Sequence, residues 1–183
     1  MEFKVSELER EPIDFDLELA PGAVDFGEEA EQAGQLAAAG WAEVLHEHRG
    51  PGDVVADIRL KGSFSGRFQV PCARCVEPVA QDIVRDFELL YRPLGADAGR
   101  DELSVTDAEA EIGYYQGNGI LLEDVLREQV LLALPLKVTC REDCKGLCVH
   151  CGKNLNEEQC SCSTAVEDPR WMALREIRSK LEN

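Results

Sequence analysis

Residues 54–91 read VVADIRLKGSFSGRFQVPCARCVEPVAQDIVRDFELLY, and their alternation decides the fold. From Val54 to Val70 the apolar residues Val54, Ala56, Ile58, Leu60, Phe64, Phe68 and Val70 fall on even numbers. Asp57, Arg59, Lys61, Ser63, Arg67 and Gln69 fall on odd ones. A period of two marks a strand with one buried face. This one is long, and a bend or bulge is expected near Gly62 and Gly66. After Cys72-Ala-Arg-Cys75 the pattern resumes on odd numbers with Val79, Ile83, Phe87, Leu89 and Tyr91. The two runs therefore predict a long hairpin that carries a pair of thiols at its tip.

The other six of the eight cysteines lie in Cys140–Cys162, CREDCKGLCVHCGKNLNEEQCSC. Cys148-Val-His-Cys151-Gly152 has the form of a zinc knuckle, in which two thiolates two residues apart face one metal and a glycine supplies the positive φ after the turn. Tetrahedral Zn²⁺ needs four such ligands. The spacing favours Cys148, Cys151, Cys160 and Cys162 as one set and Cys72, Cys75, Cys140 and Cys144 as the other. The rival grouping is a single tail site that draws two ligands from Cys140, Cys144, Cys160 and Cys162 and leaves Cys72 and Cys75 empty. Disulfides would require an oxidising compartment, and the opening MEFKVSELEREP has no apolar signal region. A thioredoxin-type redox pair should open a helix after a strand, whereas Cys151 leads into Gly-Lys-Asn. Four protein ligands leave no position for a substrate water, so the expectation is a structural metal.

Cys144-Lys-Gly-Leu-Cys148-x-x-Cys151-Gly-x-Asn-Leu-Asn, Cys160-x-Cys162 and Asp168-Pro-Arg170, together with Cys72-Ala-Arg-Cys75-Val-Glu-Pro, resemble the bacterial and plastid YceD family, implicated in accumulation of large-subunit ribosomal RNA. The resemblance covers roughly residues 50 to 175. It implies a non-enzymatic, metal-binding protein connected with ribosomal RNA, and makes Arg74 a candidate contact for phosphate or carboxylate. A solvated loop charge is the alternative for Arg74.

The chain has 183 residues and a formal charge of −17, unevenly distributed. Residues 1–136 hold 11 Lys+Arg against 28 Asp+Glu, and residues 137–183 hold 8 of each. This divides the chain into an acidic body, 1–136, and a neutral cysteine-rich tail, 137–183. Nucleic-acid binders present basic surfaces because affinity comes from phosphate neutralisation. RNA contact is therefore expected to be local and weak, with ribosomal precursor particles or basic ribosomal and assembly proteins as the partners. No apolar run approaches the ~20 residues of a membrane helix, and a cytoplasmic location is expected.

Along the rest of the chain, residues 1–11 are polar and acidic and call for no fixed structure. Ile13, Phe15, Leu17 and Leu19 alternate as a strand that Pro21-Gly22 ends. Alanine-rich Glu28–Ala39 favours a helix, interrupted by Gly34 and Gly40, while Trp41–Leu45 could instead begin a strand. Arg49-Gly-Pro-Gly52 is a turn, and His46 and His48 before it suit solvated surface. Pro93–Glu111 reads as an acidic loop and Glu111–Tyr115 as a short strand. A helix over Ile120–Leu134 is capped by Asn118, stopped by Pro135 and apolar at Leu122, Val125, Leu126, Val130 and Ala133. Asp168-Pro169 opens a final helix to about Leu181, whose Arg170, Arg175 and Arg178, with Lys180, form the one basic face and the candidate RNA or partner contact.

The fold class expected is α+β: an antiparallel sheet with a long central hairpin, one packed helix, and a zinc-clipped tail ending in a helix. No glycine-rich phosphate loop, HExxH or Ser-His-Asp set is present, so neither an enzyme nor a small-molecule substrate is expected. Of three functional classes in play, the first is an accessory factor for ribosomal RNA or ribosome assembly, the second a general zinc-stabilised adaptor whose acidic surface binds basic proteins, and the third, not expected, an enzyme.

Overall fold

A computed structural model describes residues 1–50, 52–97, 112–162 and 177. Among the described residues it is mostly strands with two named helices, the α+β character expected. The strands are β1 (Glu2–Lys4), β2 (Ile13–Leu19), β3 (Glu31–Gln32), β4 (Leu36–Gly50), β5 (Asp53–Pro71), β6 (Pro78–Pro93), β7 (Ile112–Tyr115) and β8 (Gly119–Leu121). The helices are α1 (Val5–Leu8) and α2 (Leu122–Ala133).

One sheet runs in the order β2-β4-β5-β6-β7, with β3 also paired to β5, and β1 pairs with β8 in a small second sheet. The hairpin read from the alternation is β5–β6, in register from Ile58↔Tyr91 to Pro71↔Pro78. All pairings in the large sheet are antiparallel except β6–β7, which is parallel and departs from the purely antiparallel expectation.

Even-numbered residues of β5 face the core from Ile58 onward: Ile58, Leu60, Phe64, Phe68 and Val70 are all buried. Near the start of the strand the pattern inverts. Val54, assigned to the core face, is 48% exposed, and Val55 and Asp57 are buried instead. Asp57 is held there by Arg92, whose Nε and Nη2 donate to its two oxygens at 3.2 and 3.0 Å. Glu47, Arg49 and Asp97 extend this network across the end of the sheet. Alternation cannot announce such a network, because it buries charge where the pattern demands an apolar side chain.

The core joins these β5 residues to Phe15, Leu36, Ala38, Ala42, Ile83 and Phe87 from neighbouring strands and to Leu122, Val125, Leu126 and Val130 of α2. The apolar stripe of α2 is thus the one its spacing predicts. Its start is different: Leu121 occupies the cap position without a side-chain bond. Asn118 instead accepts, through its carbonyl, the Val5 N–H at 2.7 Å.

Three further expectations fail. Residues 1–11 are not structureless: Phe3 pairs with Ile120 across β1–β8, is fully buried, and lies 5.8 Å from the Phe15 ring. A three-residue strand gives no readable period, and its partner is more than 110 residues away. The helix over Glu28–Ala39 is absent, replaced by β3 and the start of β4. Here alanine serves as a small strand residue, and tertiary pairing outweighs its helix propensity. At Gly40↔Gly62 a Cβ on Gly40 would sit 2.2 Å from the Lys61 carbonyl and 2.8 Å from the Phe15 ring, and one on Gly62 would come within 3.0 Å of Phe15 and Phe87. The glycines admit those rings. They do not make a bulge, because pairing runs unbroken through Gly62 and Gly66, and the irregularity in β4–β5 lies at His48/Gly50. His46 and His48 are exposed, as expected. Of the expected C-terminal helix only Ile177 is described, in helical conformation, and most of the Pro93–Glu111 loop lies outside the described residues.

Candidate metal centres

The eight cysteines gather into two groups, Cys72, Cys75, Cys140 and Cys144 (site 1) and Cys148, Cys151, Cys160 and Cys162 (site 2), with the sulfurs of each group within 4.8 Å of one another. These are the two sets favoured from spacing. The rival grouping, which leaves Cys72 and Cys75 without companions, does not describe the geometry. All eight are free thiols.

In site 1 the Cys72 and Cys144 sulfurs are 3.9 Å apart, and those of Cys75 and Cys140 are 3.6 Å apart. Four sulfurs at about 2.3 Å from one tetrahedral ion lie about 3.8 Å from each other, so the arrangement fits a metal the size of zinc. The hairpin β5–β6 supplies Cys72 and Cys75 from its tip, and the segment after α2 brings Cys140 and Cys144 to meet them. Ala73 N–H donates to the Val138 carbonyl at 2.8 Å and registers the two.

The two CxxC turns share one backbone design. Val76 N–H donates to Cys72 O at 2.9 Å and Gly152 N–H to Cys148 O at 2.8 Å. Cys72 N–H donates to Glu77 O and Cys148 N–H to Lys153 O, both at 2.8 Å. The residue after the second cysteine is left-handed in each, φ 65° at Val76 and 72° at Gly152. Gly152 was readable as the turn residue. Val76 was not, because a β-branched residue is a rare occupant of that region.

Electrostatics separates the thiols. Backbone N–H groups of Arg74 and Cys75 aim at the Cys72 sulfur and bring its pKa down to about 6. Those of His150 and Cys151 do the same for Cys148, also to about 6. Cys140, drawn out of water and facing the other three sulfurs, is pushed up to about 12, and Cys162, against the sulfurs of Cys151 and Cys148, likewise to about 12. In site 1 the Asn156 amide also lowers Cys144, so each group sets thiols that ionise readily beside others that resist, the behaviour of a thiol set whose remaining protons leave when a cation arrives.

Arg74 is placed against the chain itself: its Nη1 donates to the carbonyls of Glu142 at 3.1 Å and Cys144 at 2.8 Å. Its own carbonyl accepts Leu147 N–H at 2.9 Å. A Cβ on Gly146, itself at φ 75°, would sit 2.9 Å from that carbonyl. Arg74 therefore braces the loop that carries Cys144. Spacing did not single out Asn156, whose Nδ2 donates to the Cys144 sulfur at 3.3 Å while its Oδ1 accepts Lys145 N–H at 2.8 Å. Its only signal was the Asn-Leu-Asn run. Arg170, Arg175 and Arg178 lie outside the described residues.

Among the described residues no helix is long and apolar enough to cross a membrane. A family model described as "Large ribosomal RNA subunit accumulation protein YceD" matches residues 60–178. An uncharacterized protein of Mycobacterium tuberculosis is 38% identical over 121 residues, which cover 66% of this chain and 55% of the relative. The Arabidopsis thaliana protein named large ribosomal RNA subunit accumulation protein YCED homolog 1, chloroplastic, is 25% identical over 146 residues, covering 68% of this chain and 46% of the relative. A Zea mays protein of the same name is 29% identical over 128 residues, covering 57% and 44%. The chain spans about half the length of the curated relatives it matches. No solved structure matches it significantly.

Proposed function

This chain belongs to the YceD family, and from that premise we propose that it is a zinc-binding accessory factor, without catalytic activity of its own, in the accumulation or maturation of large-subunit ribosomal RNA. The observation that carries the metal part is the closure of two all-thiol sets, each with four protein donors and sulfur separations suited to one ion. All-sulfur tetrahedral surroundings favour zinc over the hard divalent cations. The metal supplies cross-linking and charge neutralisation. The protein supplies the geometry: N–H groups hold Cys72 and Cys148 as the first thiolates, Asn156 and Arg74 fix the Cys144 loop, and the hairpin tip presents Cys72 and Cys75. In this reading site 1 joins the acidic body, 1–136, to the tail, 137–183, and site 2 shapes the tail alone.

Charge directs the rest of the reading. A chain at −17, with each Cys₄-zinc site adding its own negative charge, does not wrap a polyanion. Its association with ribosomal precursor particles, in the cytoplasm, runs through basic ribosomal or assembly proteins, with RNA touched locally by Arg170, Arg175 and Arg178. The test has two parts. Protein purified from its source without chelator should contain two zinc per chain and sediment with precursor particles. Naked large-subunit RNA should bind weakly, with a logarithmic salt slope of about 0.7 to 0.9 per phosphate contacted. Metal-free protein with eight reactive thiols, or nanomolar salt-insensitive binding to naked RNA, would overturn it.

A further inference from the structure

The face of the large sheet turned away from the core carries three cross-strand rows, fixed by the pairing of β2, β4, β5 and β6. They are Asp14–Trp41–Lys61–Glu88, Asp16–Ala39–Ser63–Asp86 and Glu18–Ala37–Ser65–Val84. Alanine, serine and the Gly40–Gly62 pair make a floor, and acids stand on both sides of it. The edges lie three strand spacings apart, about 14 Å. Two connected depressions occupy this floor, of about 620 Å³ beside Trp41 and about 220 Å³ between Asp16 and Asp86, and they share Ala39, Ser63 and Asp86.

Among the described residues, the cations on this face are already engaged. Arg59 and Lys61 pair with Glu88, and Arg67 pairs with Asp82. Asp14, Asp16, Glu18 and Asp86 have no ion-pair partner among the described residues, and all four are exposed. Val84, in the floor, is 76% exposed.

We propose that this trough seats an extended arginine- or lysine-rich segment of a partner protein. Asp14, Asp16 and Glu18 stand two residues apart along β2, about 6.8 Å, which is the repeat of same-side side chains in an extended peptide. A backbone resting on alanine and serine can lie close to the sheet, with cationic side chains reaching the acids on either side. Arg59 over the Trp41 ring, at 5.6 Å to its centroid, shows that this aromatic already accepts a guanidinium. A nucleic acid is excluded by four unpaired carboxylates. A second copy carries the same charge of −17. The chain's own residues 163–183 hold four Lys+Arg against four Asp+Glu and offer no net complement.

This inference rests on the reading of an acidic body that engages basic proteins and names the surface that does so. It is tested on the full-length, metal-loaded protein by fluorescence anisotropy with a labelled ten-residue alternating Arg-Ala peptide. Asp16→Asn/Asp86→Asn and, separately, Ala39→Leu should each weaken binding about tenfold, with thermal melting unchanged. Glu7→Gln/Glu11→Gln, off this face, should change it less than twofold. Equal weakening by the Glu7/Glu11 variant would show diffuse charge and overturn the proposal. So would tight binding of a single-stranded RNA oligomer in place of the peptide, or tenfold tighter peptide binding after Arg170→Gln/Arg175→Gln/Arg178→Gln, which would give the trough to the chain's own tail. Peptide binding as described, with no sedimentation alongside precursor particles, supports the trough and removes only the ribosomal reading.

Discussion

Loss of site 1 should destabilise the sheet, and loss of site 2 should not. The Cys75–Cys140 approach closes a loop of 65 residues, with one end on the β5–β6 hairpin and the other beyond α2. Treated as a cross-link acting on the unfolded chain, a loop of that length removes entropy worth about 4 kcal/mol at 25 °C. Site 2 closes only the short span from Cys151 to Cys160, worth about 3 kcal/mol, and all of that lies within the tail. For a chain of this size the site 1 effect corresponds to a fall in Tm of roughly 8 to 16 °C. The assay is urea unfolding followed by Trp41, which sits on β4, in a Trp171→Phe background that leaves one reporter. Cys140→Ser/Cys144→Ser should lower the stability seen by Trp41 by about 4 kcal/mol, and Cys160→Ser/Cys162→Ser should leave it within about 1 kcal/mol of the parent. Equal losses from both variants, or no loss from the first, would refute the idea that site 1 alone ties tail to sheet.

Arg74→Met should lower zinc affinity at site 1 by about 10- to 100-fold, as loss of a group that orients ligands does, and leave site 2 unchanged in competition against a graded chelator. Leu126→Ala removes a fully buried side chain of α2 and should cost about 2 to 5 kcal/mol in urea unfolding without changing the slope. Burial alone would raise the Asp97 carboxyl, but the hydrogen bonds from Arg49 and Tyr114 outweigh it and hold the group below the usual aspartate range. Its contribution to stability is therefore complete above the unfolded value of about 3.9 and lost as pH falls through the lower folded value. Asp97→Asn should flatten the acid limb of a stability profile in that window.

Legibility in the sequence followed the strength of local signals. Long alternating runs located β2, β5 and β6, helical spacing located the buried stripe of α2, and cysteine spacing gave the two thiol sets with their membership. What escaped depends on partners distant in the chain. Phe3 finds Ile120, Arg92 buries Asp57, and Arg74 meets the Glu142 and Cys144 carbonyls. None of these is visible within a window of neighbours. The alanines of β4 misled in the opposite sense, since their propensity favours a helix while Gly40 against Gly62 requires a strand. The left-handed Val76 shows a further limit: the hydrogen bonds of a metal-binding turn can impose a backbone that its residue type does not favour.

The long separation of the site 1 ligands also dictates an order of events. Strands β4, β5 and β6 succeed one another through tight connections, so their pairing costs little loop entropy and can form early. The Cys72–Cys144 approach spans 72 residues and needs the hairpin tip and the end of α2 already in place. A metal bound there contributes little to the folding transition state and acts as a latch on the finished sheet. In a chevron plot, loading site 1 should leave the refolding limb where it is and depress the unfolding limb, making the protein slower to open rather than quicker to form.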